Sequence, residues 1–163
     1  MNEPAPETRM TFWGVGPRLF AATSVWFVLA LALDLAMPDR FRMHSLSPVA
    51  ANVIGGSLIV AGLLLYIPTA LAIASAVRDK RLLTTGLFAR IRHPLYAIAL
   101  WLLTPGFCLL FRSWLILTTP AAFLLVAAIL LPREEAALEA RFGDAYRAHR
   151  TRTGLLWPRL WRP

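Results

Sequence analysis

The sequence contains little cysteine and few charged side chains. Cys108 is the single cysteine among 163 residues, so no disulfide can form within the chain. Charged residues make up 16% of the sequence and apolar residues 58%, whereas average proteins have about 25% and about 45–50%. This composition excludes a disordered chain and argues against a water-soluble domain. We therefore predict one integral membrane domain over residues 1–163.

Negative charge is also scarce. The chain has 17 Lys and Arg residues against 9 Asp and Glu, which gives a net charge of +8. A basic balance often indicates nucleic-acid binding, but here long uncharged stretches separate the cations. Loops of this kind suit the anionic headgroups of a lipid bilayer, and we expect no nucleic acid as a partner. The sequence also lacks a metal-ligand cluster, a nucleophile elbow and a phosphate-binding glycine loop, so we expect no metal.

Four apolar stretches can cross a hydrocarbon core about 30 Å thick, which takes about 20 helical residues. They cover residues 19–37, 49–77, 95–111 and 114–131. Only Arg112 and Ser113 separate the last two stretches, which predicts a tight helical hairpin. Each of the last three stretches contains a proline, and a proline inside a helix predicts a kink because it removes a backbone hydrogen bond. These prolines are Pro68, Pro105 and Pro120. The predicted fold is all-α: a polytopic membrane protein with about four transmembrane helices.

The positions of the cations indicate an orientation. Two lie in the N-terminal segment, five in the second loop and seven after residue 131, so these segments hold fourteen of the seventeen. The positive-inside rule places such segments in the cytoplasm. We expect a multi-pass protein of the cell inner membrane with both termini in the cytoplasm. We also expect a loose tail over residues 1–16 and a first span that is retained, because it is long for a signal peptide.

A polar motif, Arg92-His93-Pro94-x-Tyr96, leads directly into the third stretch. Proline suits the first residue of a helix, which leaves His93 at or near the helix cap. The free N–H groups and the positive end of the helix dipole favour an anion there, such as a carboxylate or a phosphate. The hydroxyl of Tyr96, one turn into the helix, can point to the same pocket. The alternative is an interfacial belt in which these side chains contact the headgroups.

Two adjacent acids, Glu134 and Glu135, follow the end of the fourth stretch. Such a pair at a membrane boundary is unusual, because repulsion and partial desolvation both oppose its charge. It lies on the same side of the predicted bundle as Arg92 and His93 and can approach them. A carboxylate there suits a ribose diol or a cationic ligand. The alternative is a solvated helix end.

An amphipathic pattern follows the acids. Leu138, Phe142 and Tyr146 repeat at four-residue spacing between charged residues. This pattern predicts a C-terminal helix at the membrane interface, broken near Gly143. We expect the apolar stripe of this helix to pack against the protein rather than to contact a ligand.

These motifs, taken in order, resemble a known superfamily. Gly86-x-Phe88-x4-Arg92-His93-Pro94-x-Tyr96, an apolar hairpin, and then Glu134-Glu135-x2-Leu138-x3-Phe142-Gly143-x2-Tyr146 are similar to the isoprenylcysteine carboxyl methyltransferase and phospholipid methyltransferase superfamily. The match covers residues 82–158, and the two spans within 19–77 add only their hydropathy. The resemblance implies an S-adenosylmethionine-dependent methyltransferase with a cofactor-binding core at residues 80–158. It also implies an apolar acceptor, a membrane lipid or a lipid-modified small molecule, that reaches a cytoplasmic site from the bilayer.

The resemblance further implies roles for individual residues. Cofactor contacts would fall on Lys80, Arg81, Leu82, Leu83, Phe88, His93, Pro94, Leu95, Tyr96 and Glu134. Arg92 and His93 would hold the methionine carboxylate, and Glu134 would hold the ribose hydroxyls. His93 or Glu135 would accept a proton from an amine acceptor. Prenylcysteine enzymes hold the substrate carboxylate with an arginine where this chain has Leu130, and Arg133 is the nearby candidate to replace it.

Two alternatives belong to other functional classes. NADPH-dependent sterol reductases have a similar Arg-His-Pro-x-Tyr motif but are usually much longer. A non-catalytic membrane partner protein would keep the fold without the chemistry. The methyl acceptor also stays open among a prenylcysteine carboxylate, a phospholipid amine, a thiol and other lipids.

Overall fold

The computed structural model describes residues 14–159, and within them the chain forms helices and no β-strand. The helices are α1 (Gly16–Ala36), α2 (Pro38–Phe41), α3 (Pro48–Arg78), α4 (Pro94–Ile98), α5 (Thr104–Phe111), α6 (Thr119–Phe142) and α7 (Asp144–Arg152). Four helical stretches are long and apolar enough to cross a membrane: Gly16–Ala36, Pro48–Arg78, Pro94–Phe111 and Ile116–Phe142. The predicted all-α polytopic membrane fold is confirmed. The loose tail predicted over residues 1–16 lies outside the described residues except for its last three.

Local sequence signals define several helix ends. The Ser47 hydroxyl accepts a hydrogen bond from the backbone N–H of Ala50 at 3.1 Å and so caps α3. Pro94 is the first residue of α4 and His93 is its cap, as the motif predicts, although the His93 side chain makes no capping hydrogen bond. Gly143 ends α6 with a φ of 54°, a left-handed conformation that glycine adopts without strain.

The third span is one helix with a widened turn in its middle. A π-helical turn at Ala99–Leu103 joins α4 to α5, and the N–H of Thr104 donates to the carbonyl of Ala99, five residues earlier. Pro105 follows this turn in the first turn of α5. Pro120 lies in the first turn of α6, directly after a short 3₁₀ turn, so the predicted mid-helix kink there is wrong. Pro68 does lie inside α3.

Glycines bring α3 close to the third span. A methyl group at Gly55 would lie 2.7 Å from the carbonyl oxygen of Gly106, and one at Gly106 would lie 2.9 Å from that of Gly55. A methyl group at Gly62 would likewise be too close to the side chain of Leu103. Small residues allow such approaches between membrane helices. α3 exposes most of its other side chains, so this glycine seam fixes its position in the bundle.

One end of the bundle is closed by backbone hydrogen bonds. α5 ends at Arg112, which has a left-handed φ of 50°. The carbonyl of Arg112 accepts from the N–H of Met43 at 2.8 Å, and the carbonyl of Phe41 accepts from the N–H of Trp114 at 2.9 Å. The predicted hairpin is confirmed, and its tip lies beside the first loop.

The largest buried cluster lies between α1, α4 and α6. It includes Leu19, Tyr96, Leu100, Phe123 and Leu131. This cluster lies towards the other end of the bundle, where the N-terminal segment, the second loop and the C-terminal segment meet. Most cations lie in those segments, and we call this the arginine-rich end.

The last long helix extends further than its apolar stretch. We predicted that the fourth span stops at residue 131 and that a separate interfacial helix follows. Instead α6 continues through Pro132 to Phe142, and only then does Gly143 break the chain before α7. The break near Gly143 is confirmed, but the stripe divides between two helices: Leu138 and Phe142 belong to α6, whereas Tyr146 belongs to α7.

Candidate functional site

The arginine-rich end contains a cavity of 660 Å³. Its walls come from α1, α3, the second loop, the start of α4, the last turns of α6, and α7. Ligand pockets in proteins typically have volumes of about 300–1,000 Å³ and mostly apolar walls. This cavity has the size and character of a small-molecule site.

Most of the predicted site residues line this cavity. They are Arg81, Leu82, Leu83, Phe88, Arg92, His93, Pro94, Leu95, Tyr96 and Glu134. Three others do not line it. Lys80 is exposed and adopts a left-handed φ of 51°. Arg133 is exposed on α6, and Glu135 is buried behind the cavity wall.

Glu134 faces the cavity and is held by two donors. Its Oε2 accepts from the Tyr96 hydroxyl at 3.1 Å and from the backbone N–H of Val15 at 3.4 Å. A methyl group at Gly14 would lie 2.7 Å from Oε1 of the same carboxylate, so the start of α1 approaches closely. Within residues 14–159 this carboxylate forms no ion pair. No described cation therefore neutralises this carboxylate at the cavity wall.

Glu135 lies in a buried cluster of charges. Its Oε1 lies 2.7 Å from Nε of Arg92 and 3.4 Å from Nε2 of His93, and it accepts from the Tyr146 hydroxyl at 3.1 Å. Nε of Arg150 lies 3.9 Å from the other oxygen. Neither Nε of Arg92 nor Nε2 of His93 makes a well-directed hydrogen bond in these close contacts. A buried carboxylate requires such partners, and here they join α6 to the second loop and to α7.

The C-terminal segment holds the polar motif by its backbone. The N–H of Arg92 donates to the carbonyl of Gly154 at 2.8 Å, and the N–H of His93 donates to that of Leu155 at 3.2 Å. The N–H of Gly154 donates in turn to the carbonyl of Arg90 at 3.0 Å. Gly154 packs against the backbone of Trp157 and has no room for a methyl group. We call residues 90–93 together with 154–155 the backbone clip.

The apolar stripe, which we expect to pack against the protein, lies at the cavity. Leu138, Phe142 and Tyr146 line it, and whether they contact a ligand stays a prediction. The stripe lies there because α6 and α7 turn it inward, towards the second loop, rather than along the membrane surface.

Sequence reasoning missed His149 and Tyr66, which also line the cavity. His149 is 8% exposed and lies one turn after Tyr146 on the buried face of α7. The sequence signal that indicates His149 is its spacing, since it follows Tyr146 by three residues and so lies on the same face of a helix. Tyr66 lies within the long apolar stretch of α3, where the sequence offers no such signal.

The local environment shifts the pKa values of two side chains on α7. Burial lowers the pKa of His149, and the neighbouring Arg92 and His93 lower it further, so the imidazole is neutral near pH 7. Burial raises the pKa of Tyr146, and the adjacent Glu135 carboxylate raises it further. Tyr146 therefore keeps its proton and acts as a hydrogen-bond donor.

Taken together, the cavity can hold a ligand that carries a cationic group beside hydroxyls. Glu134 supplies a negative charge and acceptor oxygens, while the rings of Phe20, Tyr66 and Phe88 offer faces that attract a cation. Arg81 lies at the cavity wall, where its guanidinium can contact an anionic group of the ligand.

Among residues 14–159, no group of three or more His, Cys, Asp and Glu side chains comes together as a metal ion would require. No protein-family model matches the chain, and no curated protein matches it significantly. The function of this membrane protein is therefore inferred from the chemistry of its cavity.

Proposed function

We propose that this protein transfers a methyl group from S-adenosylmethionine to an apolar, lipid-like acceptor at the cytoplasmic face of the inner membrane. One observation carries the proposal. The two motifs, 38 residues apart at Tyr96 and Glu134, meet in a hydrogen bond at the wall of a 660 Å³ cavity. His93 lines the same cavity.

The residues present fit this cofactor. The Glu134 carboxylate can accept hydrogen bonds from two ribose hydroxyls, and its charge attracts a cation. Arg81 pairs with the exposed Asp79 at 3.5 Å and also lines the cavity, so its guanidinium can contact the methionine carboxylate as well. The aromatic walls favour a sulfonium. When bound, the cofactor supplies a methyl group activated by a neighbouring positive sulfur.

The protein itself would orient the reactants and exclude water from them. Leu82, Leu83, Leu138 and Phe142 form apolar walls that keep water from the reacting groups. Tyr96 and the N–H of Val15 fix the Glu134 carboxylate, so the ligand is held in one orientation. Orientation of two reactants in this way lowers the barrier to their reaction by several kcal/mol.

The charges of the cavity favour this cofactor over NADPH. NADPH carries several negative phosphate charges, which call for several free cations. Of the two arginines that line the cavity, Arg92 already contacts Glu135, and the Glu134 carboxylate would repel phosphates. A zwitterionic ligand with a sulfonium suits these charges better.

A second cavity supports an apolar acceptor. It has a volume of 350 Å³ and lies between α1, α3, the third span and α6. Phe20 lines both cavities, so the second cavity lies next to the first, in the membrane-spanning part of the bundle. Hydrocarbon is the occupant that suits such walls. The positive-inside rule places the arginine-rich end, and thus the site, in the cytoplasm.

Calorimetry with S-adenosylhomocysteine tests the proposal. We expect Glu134→Gln and His93→Ala each to weaken binding at least ~10-fold, or about 1.4 kcal/mol. Glu139→Gln is the matched control, because Glu139 lies on the same helix, pairs with Arg150 and does not line the cavity. Equal affinity in all four proteins, or no binding to the wild type, would contradict the proposal.

Turnover tests the reaction itself. We expect purified protein, labelled methyl donor and a membrane lipid extract to give a lipid product heavier by one CH₂ unit. Omission of the protein is the blank, and Glu134→Gln is expected to lower the yield in proportion to its loss of affinity.

A further inference from the structure

Two buried histidines line the cavity in different surroundings. Nε2 of His93 lies 3.4 Å from the Glu135 carboxylate, which faces away from the cavity. The His149 ring makes no hydrogen bond within residues 14–159, and only its backbone carbonyl accepts one, from Thr153 at 2.8 Å. Among the described residues, the His149 ring therefore lines the cavity without a hydrogen-bonding partner and without a carboxylate beside it.

We propose that His149 accepts a proton from the reacting atom of the methyl acceptor, and that the acceptor is therefore an amine or a thiol on an apolar chain rather than a carboxylate. This inference rests on the proposed methyl transfer. It names a class of acceptor and a catalytic residue that the sequence motifs do not include.

The neighbours of His149 keep its lone pair available. The charged and titratable groups that act on it are Arg92 and His93 from the second loop, and the Tyr146 ring on α7 lies 6.4 Å from its ring between centroids. Burial and the nearby cations lower the pKa of His149, so its ring is uncharged at neutral pH. A neutral imidazole can accept a proton, whereas an imidazolium cannot.

The two other candidates for this role are already engaged. Glu135 accepts from Tyr146, contacts Arg92, and does not line the cavity. Nε2 of His93 lies 3.4 Å from that same carboxylate. Either group would have to leave its buried partners before it could take a proton from a ligand.

The proposed step balances. The acceptor nitrogen or sulfur forms a bond to the methyl carbon, and the bond from that carbon to the sulfonium sulfur breaks with its electron pair going to sulfur. The N–H or S–H proton goes to the ring of His149, which becomes an imidazolium and then releases the proton to water. A carboxylate acceptor has no proton to release, so it would leave His149 without a role.

Histidine NMR on protein in lipid nanodiscs tests the contact directly. The probes are dodecylamine, dodecanethiol and dodecanoate, each with and without S-adenosylhomocysteine, and His149→Gln identifies the ring signals. We expect the amine or the thiol to shift the His149 signals and the carboxylate to leave them unchanged. A response to dodecanoate of equal size, or a response to none of the probes, overturns the inference.

Turnover gives the second readout. We expect His149→Gln to slow methyl transfer to membrane lipid extract about 100-fold, with an unchanged KM for the methyl donor and without the low-pH limb of the rate profile. His44→Gln is the matched control, because His44 is exposed at the other end of the bundle. Equal rates for wild type and His149→Gln overturn the inference. Failure of the wild type to bind S-adenosylhomocysteine would instead refute the methyltransferase proposal, and the NMR response would then show only whether His149 contacts an amine or a thiol.

Discussion

At the arginine-rich end, α6 places two adjacent glutamates in opposite environments. Glu134 faces the cavity and accepts hydrogen bonds from uncharged donors, whereas Glu135 faces the second loop and α7 and is surrounded by cations. One step along a helix is about 100° of rotation, which is enough to separate them. Loss of one partner of a buried ion pair is strongly destabilising, whereas a carboxylate that has no counter-ion among the described residues is a candidate to bind a ligand.

We expect the largest loss of stability from a change on the face of α6 that carries Glu135. Glu135→Gln leaves the Arg92 guanidinium buried without its counter-ion, so we expect a loss of about 3–5 kcal/mol in the free energy of unfolding. Thermal unfolding in detergent measures this loss. The double variant Arg92→Gln with Glu135→Gln is expected to lose less than the sum of the single variants. Additive losses would show that the pair is not coupled.

The next effect concerns the backbone clip. Gly154→Ala introduces a methyl group against the backbone of Trp157, and we expect a loss of about 1–3 kcal/mol. Gly56→Ala is the matched control. It has open space around the new methyl group and lies inside α3, where alanine is favoured over glycine by about 0.5–1 kcal/mol. Hydrogen exchange at residues 90–93 is expected to speed up in Gly154→Ala alone.

A smaller effect is expected on the cavity face. In Glu134→Gln the amide oxygen still accepts from Tyr96, so we expect a loss of less than about 1 kcal/mol in the free energy of unfolding. The same thermal measurement compares it with Glu135→Gln. If the two variants were equally destabilised, the contrast between the two faces would not hold.

The smallest effect is a pH dependence that belongs to His149. Its folded pKa is lowered below the ordinary value of 6.5, so the unfolded chain binds the proton more readily. Its contribution to stability is therefore present above pH 6.5 and is lost as the pH falls below that value. We expect the difference in Tm between wild type and His149→Gln to decrease from about pH 8 to about pH 5.5. A difference that is constant with pH would contradict a neutral, buried ring.

The sequence predicts the spans well because hydropathy over twenty residues is a local property. The runs around α1 and α3, the helix start at Pro94 and the hairpin at Arg112 and Ser113 all follow from neighbouring residues. α6 is the exception, since the extension to Phe142 depends on packing beyond the apolar stretch.

The site is only partly predictable for a physical reason. Two motifs with the right residue types can be placed at one end of a bundle, but the sequence does not tell which way each side chain turns. The rotation that separates Glu134 from Glu135, and that leaves Arg133 exposed, is set by how α6 packs. The clip between residues 90–93 and 154–155 pairs backbone groups, which carry no side-chain signature.

The clip has a consequence for how the protein is made. Residues 90–93 leave the ribosome long before 154–155, so during synthesis their N–H groups lack the partners that the finished chain supplies. The third and fourth spans can insert into the bilayer in that interval, but the polar motif stays unbraced until the C-terminal segment folds back. A nascent chain halted before residue 154 would contain every residue that lines the cavity but would lack the backbone hydrogen bonds that hold residues 90–93.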